Sequence, residues 1–503
     1  MERMFARQMM NMMNPVMPSY GSGAQQQQLF YAAIDGRQAG PFQLTEISRL
    51  VGAGSIRKDT LVWRQGLAAW QSAAATPEIA GLFPAVPPPP PVSAPPRPTA
   101  LPTVQAGVVS SRKIWENYTL PVDGILAGYP TADSTDDAPE KAQAALLEDV
   151  LAEFKIAARV TGIRKGPVVT MFEILPAPGI KLSKIVQLED NIALRLAAAS
   201  MRIIAPIPGK EAVGIEVPNK KRAMVGFREI IEQSLSAESD ASLPLYLGKD
   251  ISGGIVSADL AAMPHLLVAG ATGSGKSVCI NTMILSLVYR LSPAQCRMIF
   301  IDPKIVELKL YNGIPHLLSP VITEPEKALS AMRFCVREME RRYNCLDKLG
   351  ARNIKSYNKA AAEKGAETLP YLVIIIDEFA DLMMVSGKEL EAAIVHLAAM
   401  SRAVGIHLVL ATQRPSADVI TGLIKSNIPS RIAFMVAAMT DSRIIIDIPG
   451  AEKLLGKGDM LYCGAENPFP IRAQGAFVSE EEAEKTAAYL RSLRHPEYIN
   501  LDR

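Results

Sequence analysis

Gly270-Ala271-Thr272-Gly273-Ser274-Gly275-Lys276-Ser277 fills every fixed position of the pattern G-x-x-x-x-G-K-[ST]. That spacing is phosphate chemistry. Gly270, Gly273 and Gly275 let the backbone turn tightly around a chain of phosphates. Successive N–H groups and the start of the following helix then point at the anion. Lys276 reaches the β- and γ-phosphates, and the Ser277 hydroxyl belongs on Mg²⁺. Val278 completes the stretch expected around the phosphates. The surroundings fit, because the apolar run His265–Ala269 precedes the loop. Behind it, Val278–Arg290 carries apolar residues at Val278, Ile280, Met283, Ile284, Leu287 and Val288, as a helix requires. The alternative, an ordinary Gly-rich turn, does not account for the Lys-Ser ending.

A second constellation completes the chemistry. Tyr371-Leu372-Val373-Ile374-Ile375-Ile376-Asp377-Glu378 is an apolar run ending in two acids. Such a run suits a parallel strand buried on both faces, and ligands sit at the C-terminal ends of such strands. Asp377 is expected to help hold Mg²⁺, directly or through water. Glu378 is expected to orient and polarise an attacking water as a general base. An acidic turn after a strand is common on its own. Downstream of a phosphate loop, the pair implies Mg²⁺-dependent hydrolysis of a nucleoside triphosphate, with ATP and Mg²⁺ as ligands.

A third apolar run, Ile406–Ala411, ends in Thr412-Gln413-Arg414-Pro415. Gln413 is placed to sense a γ-phosphate. Ser401-Arg402 just before it sets an arginine at a helix end. Ring NTPases place such an arginine across a subunit boundary to stabilise the transferring phosphoryl group.

These motifs need a scaffold, and 503 residues suggest about three or four domains. A net charge of +2 does not announce nucleic acid, although a channel could keep its positive charge local. Five cysteines, Cys279, Cys296, Cys335, Cys345 and Cys463, match no zinc spacing and read as reduced thiols of a cytosolic protein. No apolar stretch reaches the ~18–20 residues of a membrane helix. Met1–Met17 is broken by Arg, Asn and Pro and makes a poor signal peptide. A soluble, cytoplasmic chain without membrane insertion is expected.

The composition divides the chain into segments. Residues 1–28, rich in Met and Asn and then Gln, read as disordered. Residues 29–80 read as a small α+β module. It has strands at Phe30–Ile34 and Leu61–Trp63, a turn at Asp35-Gly36 and a short helix over Gln43–Gly52. Two of the three tryptophans, Trp63 and Trp70, fall in it. They serve either as the core of a tiny domain or as a binding face. Residues 81–113 form a linker in which ten of the 37 prolines lie between Pro84 and Pro102, a semi-rigid spacer. Residues 114–240 read as α+β, with a helix at Ala138–Phe154, strands at Gly166–Ile174 and Val213–Val217, and a helical run at Ile192–Ala199. Residues 241–495 alternate strands (Leu266–Ala269, Met298–Asp302, Leu372–Asp377, Ile406–Thr412, Ile432–Val436) with helical runs. That alternation predicts an α/β fold with a parallel sheet between helices. Residues 496–503 are a tail.

The Phe30-Tyr31, Gly40-Pro41-Phe42, Thr60-Leu61-Val62-Trp63, Gly66 and Trp70 pattern resembles a GYF-type domain. That resemblance implies a proline-rich peptide partner. From Tyr118-Thr119-Leu120-Pro121 to near residue 495 the chain resembles the FtsK/SpoIIIE DNA translocases. The matching segments include Gly166-Pro167-Val168-Val169-Thr170, Ile207-Pro208-Gly209-Lys210, Ile301-Asp302-Pro303-Lys304, Asp377-Glu378-Phe379-Ala380-Asp381-Leu382, Ala411-Thr412-Gln413-Arg414-Pro415 and Leu454-Leu455-Gly456-Lys457-Gly458-Asp459-Met460. The resemblance implies a homohexameric ring with a RecA-like P-loop motor tier, a smaller tier before it, and double-stranded DNA in the pore. It implies that Arg402 acts in trans and that Arg414, Lys425 and Arg443 lie near DNA phosphates. Such contacts carry no sequence information, as suits a motor that runs on any sequence.

Three departures from the family pattern stand out. Septal members carry N-terminal membrane helices, which this sequence lacks. Many carry a winged-helix domain after the motor, so directional loading by that route is not expected of a chain ending at Arg503. Where members have Ser-Ser-Lys, this chain has Ala437-Ala438-Met439, which removes a lysine thought to sense nucleotide in trans. The alternative function, a ring ATPase of the same superfamily driving protein secretion, is disfavoured by the single phosphate loop and the translocase-like smaller tier.

Overall fold

The computed structural model describes residues 29–83 and 115–501, except 35, 36, 66, 68, 69, 131–137, 199, 238, 466 and 468. The expected loose start, the Asp35-Gly36 turn, nearly all of the proline linker and the last two residues lie outside the described residues. Packing divides the chain into two units, residues 1–103 and 104–503.

In the first unit, β1 (Phe30–Ile34), β2 (Arg37–Phe42), β3 (Leu61–Arg64) and β4 (Gln71–Ser72) form an antiparallel sheet in the order β2-β1-β3-β4. Strand alternation sends Phe30, Ala32 and Val62 into the core with Ile47 of the helix Leu44–Gly52, and with Ile56, Ala73 and Ile79. Tyr31 and Trp63 are cross-strand partners on the other face, their rings 6.0 Å apart and half-buried. The core is therefore mainly aliphatic.

In the second unit, β5 (Ala158–Lys165), β6 (Val169–Pro176), β7 (Arg202–Ile204) and β8 (Val213–Pro218) form an antiparallel sheet in the order β5-β6-β8-β7. The helix Ala138–Glu153 and the short helices Leu182–Gln187 and Glu189–Arg195 accompany it, their Leu147, Leu151, Ile185 and Ile192 packing on Phe172, Ile174 and Ile215. One long strand from Gly166 was expected. Instead Gly166-Pro167 forms the hairpin corner between β5 and β6. Pro167 has no N–H to donate to a ladder, and a Cβ on Gly166 would lie 2.6 Å from the Ile251 carbonyl oxygen.

The large sheet has nine strands in the order β10-β9-β17-β16-β15-β11-β14-β13-β12. These are β9 (Pro244–Asp250), β10 (Ile255–Asp259), β11 (Leu266–Ala269), β12 (Cys296–Ile301), β13 (Tyr371–Ile376), β14 (Ile406–Thr412), β15 (Ser430–Phe434), β16 (Asp459–Cys463) and β17 (Ile471–Gly475). Strands β12, β13, β14, β11 and β15 are parallel, as their unbroken apolar runs predict. The other four extend the sheet antiparallel, which the expected all-parallel sheet did not include. One apolar core lies on each face.

The first of those cores also takes Leu120, Ile125 and Leu126, and Phe227, Ile230 and Ile231 of the helix Phe227–Ser236. By packing, the ends of the expected 114–240 segment belong with the large sheet. A buried ionic knot ties the two sheets. Arg472 of β17 donates to Glu216 of β8 at 2.6 Å and to Asp459 of β16 at 2.6 and 3.0 Å, and Arg202 of β7 lies 3.6 Å from Glu216. Among the described residues no helix is long and apolar enough to cross a membrane.

Candidate active site

Three parallel strands deliver the expected residues to one edge. Strand β11 runs into the phosphate loop, β13 ends at Asp377-Glu378, and β14 ends at Thr412-Gln413. Because β11 and β13 both flank β14, their C-terminal ends meet.

The loop is held from outside. Ala271 N–H donates to the Met435 carbonyl at 2.8 Å, and Gly458 N–H donates to the Ser274 carbonyl at 2.8 Å. Gly275 has φ +112°, and a Cβ there would sit 2.4 Å from the Gly458 nitrogen. A side chain at this position is excluded twice, by conformation and by contact. The helix Lys276–Arg290 opens at Lys276 and aims its first N–H groups along the cleft. Ser274 Oγ is fully buried without a hydrogen-bond partner, a polar group awaiting a ligand.

Lys276 and Asp377 are both buried and in direct contact. Burial raises the Asp377 carboxyl above its ordinary value, against the pull of the Lys276 ammonium. Ser277 Oγ donates to Glu307 Oε1 at 2.6 Å. Among the described residues no group of three or more His, Cys, Asp or Glu could hold a metal by itself. Ser277 and Asp377 are nevertheless hard oxygen donors on one side of the cleft. They fit a Mg²⁺ ion that arrives with phosphate oxygens and waters completing its shell.

Glu378 has φ +58°, left-handed backbone at the entry to the helix Phe379–Met400. Its carboxylate is fully buried and crowded with donors. The Thr412 hydroxyl lies at 2.6 Å from Oε1, the Lys304 ammonium at 2.9 Å from Oε2, and Gln413 N–H at 3.1–3.2 Å from both oxygens. Burial pushes this carboxyl up, but the Thr412, Lys304 and Gln413 donors outweigh it and hold it below the ordinary carboxylate value. Gln413 also accepts from the Thr272 hydroxyl at 2.8 Å, so it joins the phosphate loop to Glu378.

A cleft of about 620 Å³ covers the loop, with Val168, Arg222, Met224, Val225, Gln474 and Phe477 on its other side. That apolar end with polar edges suits a flat base beside the phosphates.

Arg402 does not join this site. It is exposed and precedes β14, whereas Gln413 follows that strand. Seven residues at ~3.3 Å each put Arg402 roughly 20 Å away, at the opposite end of the parallel strands. It can reach a phosphate only in another copy of the chain. The three cations expected near DNA do not form one cluster, because Lys425 lies against Arg443 and Arg414 does not. Arg414 is exposed at the nucleotide end and lies 3.3 Å from Asp381. Lys425 sits before β15, touches Asp447 beside Arg431, and donates to the Arg443 carbonyl at 3.3 Å.

Sequence reasoning assigned no role to Lys304, Glu307, Gly458 or the base end of the cleft. Lys304 lay within a segment quoted only for its resemblance. The available signal was its place at the C-terminal end of a strand predicted to lie in the same sheet as the one bearing Asp377.

Family models match in three places: a GYF domain over residues 30–79, an FtsK alpha domain over 120–219, and the FtsK/SpoIIIE family over 227–417. A relative named DNA translocase FtsK from Treponema pallidum is 57% identical over 401 residues, covering 79% of this chain and 50% of its own length. DNA translocase SpoIIIE of Bacillus subtilis is 51% identical over 390 residues, with 76% and 50% covered. The chain thus spans about half the length of these curated relatives. Among solved structures, the conjugation coupling protein TcpA of pCW3 is similar at a TM-score of 0.48 and 24% identity, over 68% of this chain and 96% of that one. The parallel strands that end in the phosphate loop and the Asp377-Glu378 pair are a RecA-like P-loop core. From the four-stranded sheet into that core, the chain belongs to the FtsK/SpoIIIE family.

Proposed function

We propose that this chain is an ATP-driven motor that moves along double-stranded DNA as a homohexameric ring in the cytoplasm, during chromosome, plasmid or mobile-element DNA movement. One observation carries the reading. The phosphate loop, Asp377, Glu378 and Gln413 meet at the C-terminal ends of neighbouring strands in a chain whose matched residues are more than half identical to proteins named DNA translocases.

Each residue then has a task. The loop N–H groups and Lys276 bind the phosphate chain, and Ser277 and Asp377 would hold Mg²⁺. The ion, when bound, supplies charge stabilisation at the transferring phosphoryl group. Glu378 takes the proton of the attacking water at a carboxylate oxygen. Gln413 relays occupancy of the loop to the end of β14. Arg402, remote from its own cleft, serves the neighbouring subunit's nucleotide. Arg414, Lys425 and Arg443 contact DNA phosphates. Tyr31 and Trp63, half-buried on the face opposite their domain's core, receive a proline-rich peptide that recruits the motor.

The direct test is ATP turnover at fixed low salt with and without long linear double-stranded DNA. Strong stimulation is expected. Unchanged turnover with DNA, from a chain that hydrolyses ATP, would remove DNA as the substrate. Arg414→Ala should weaken DNA binding equally on unrelated sequences and lower the slope of log affinity against log salt by about one. A sequence-selective loss would contradict a backbone contact.

A further inference from the structure

The loop between β12 and residue 308 contacts both halves of the hydrolytic site, and neither contact has a role so far. Asp302, fully buried, accepts backbone N–H bonds from Lys304, Ile305, Val306, Glu307 and Leu308 at 3.0–3.1 Å. Five donors on one carboxylate wind the segment into a compact nest. Ile305 is forced to φ +59°, a costly setting for a β-branched residue. The strain persists because the nest over-determines it.

That nest aims two side chains with opposite tasks. Glu307 accepts a hydrogen bond from the Ser277 hydroxyl, and Lys304 reaches Glu378. The two oxygens of a carboxylate offer about four lone-pair sites. Here Thr412 and Gln413 address Oε1, while Lys304 and Gln413 address Oε2. Three donors make these four contacts, the single Gln413 N–H being shared between the two oxygens, so a water approaching Glu378 must compete with them. Thr412 and Gln413 are fixed at the end of a central strand. Lys304 is the exception, with a third of its side chain in solvent and four rotatable bonds.

We propose that Lys304 is a latch on the general base, a positioning residue that holds Glu378 out of action until loading of the site moves the 302–308 loop. Glu307 couples the two events. When Ser277 turns to serve the bound nucleotide, its contact with Glu307 changes, and Glu307 shares a five-bond nest with Lys304. Withdrawal of the ammonium frees Oε2 to accept the water. The inference rests on the reading of Glu378 as the base.

The test uses the full chain with Lys304→Met, Lys304→Gln and Lys304→Arg. Turnover is measured with and without long linear double-stranded DNA, and affinity with a methylanthraniloyl-labelled ATP. Both latch-free variants should raise DNA-independent turnover roughly fivefold, as loss of one partly exposed ion pair implies. The stimulation by DNA should shrink by the same factor, with KM and labelled-ATP affinity unchanged, and Lys304→Arg should restore the parent ratio. Basal turnover that stays level or falls in both variants overturns the latch. So does a parallel loss of labelled-ATP binding, the mark of a merely structural lysine. Glu378→Gln in the parent and Lys304→Met backgrounds separates the layers. Full turnover there removes the base assignment itself, whereas a dead Glu378→Gln beside an unresponsive Lys304→Met removes only the latch.

Discussion

Lys276→Ala should lower ATP turnover by at least about 10²–10³, because it deletes the ammonium expected to reach the phosphates. The structure adds a second effect. Lys276 and Asp377 touch in the buried site, so the alanine leaves a carboxylate without its partner. Breaking such a pair costs about 3–5 kcal/mol at most, reduced here because burial already raises the Asp377 carboxyl toward its neutral form. Thermal unfolding of the nucleotide-free protein should therefore shift down in Lys276→Ala. It should recover when Asp377→Asn is added. Turnover should stay lost in the double variant. Normal turnover in Lys276→Ala would refute the phosphate-loop assignment, and an unshifted melting curve would refute the burial argument alone.

Glu378→Gln should keep nucleotide binding and lose roughly 10²–10⁴ in turnover, the range for removal of a positioned general base. The amide still accepts from Thr412 at one atom, and Glu378 does not touch the phosphate loop directly. The expected phenotype is a protein that fills with ATP and stalls. Retained labelled ATP after rapid gel filtration, beside an absent phosphate burst, is the measurement. Parent-rate hydrolysis would assign the water to another residue.

Most of the central layout of the large sheet was legible before any coordinates. The apolar runs ending at Ala269, Ile376 and Thr412 are strands because no other element buries them on both sides. The antiparallel strands β9, β10, β16 and β17 were not assigned: β9 pairs with its chain neighbour β10 and β16 with β17, but the β17–β9 pairing that joins them in one sheet links segments far apart in the chain and leaves no local signal. Gly166-Pro167 misled as the start of a strand because the constraint on Gly166 is the close approach of Ile251, which lies 85 positions on. At the site, Lys276, Ser277, Asp377, Glu378 and Gln413 announce themselves by motif. Lys304 and Glu307 do not, because their roles arise from β12 and β13 lying side by side. The expected place of Arg402 was across a subunit boundary, and the strand topology sets it at the end of β14 away from its own cleft.

Arg472, Glu216 and Asp459 cannot be exchanged one at a time. Each is at most 5% exposed, and removing one strands a charge in the interior at about 3–5 kcal/mol, a large share of a domain's net stability. An evolving lineage can cross that barrier only by replacing the three together, through a compensated intermediate. Among relatives these positions should behave as a single inherited character, and chimaeras that join the β8 segment of one lineage to the β16–β17 segments of another should tolerate the junction only where the character matches.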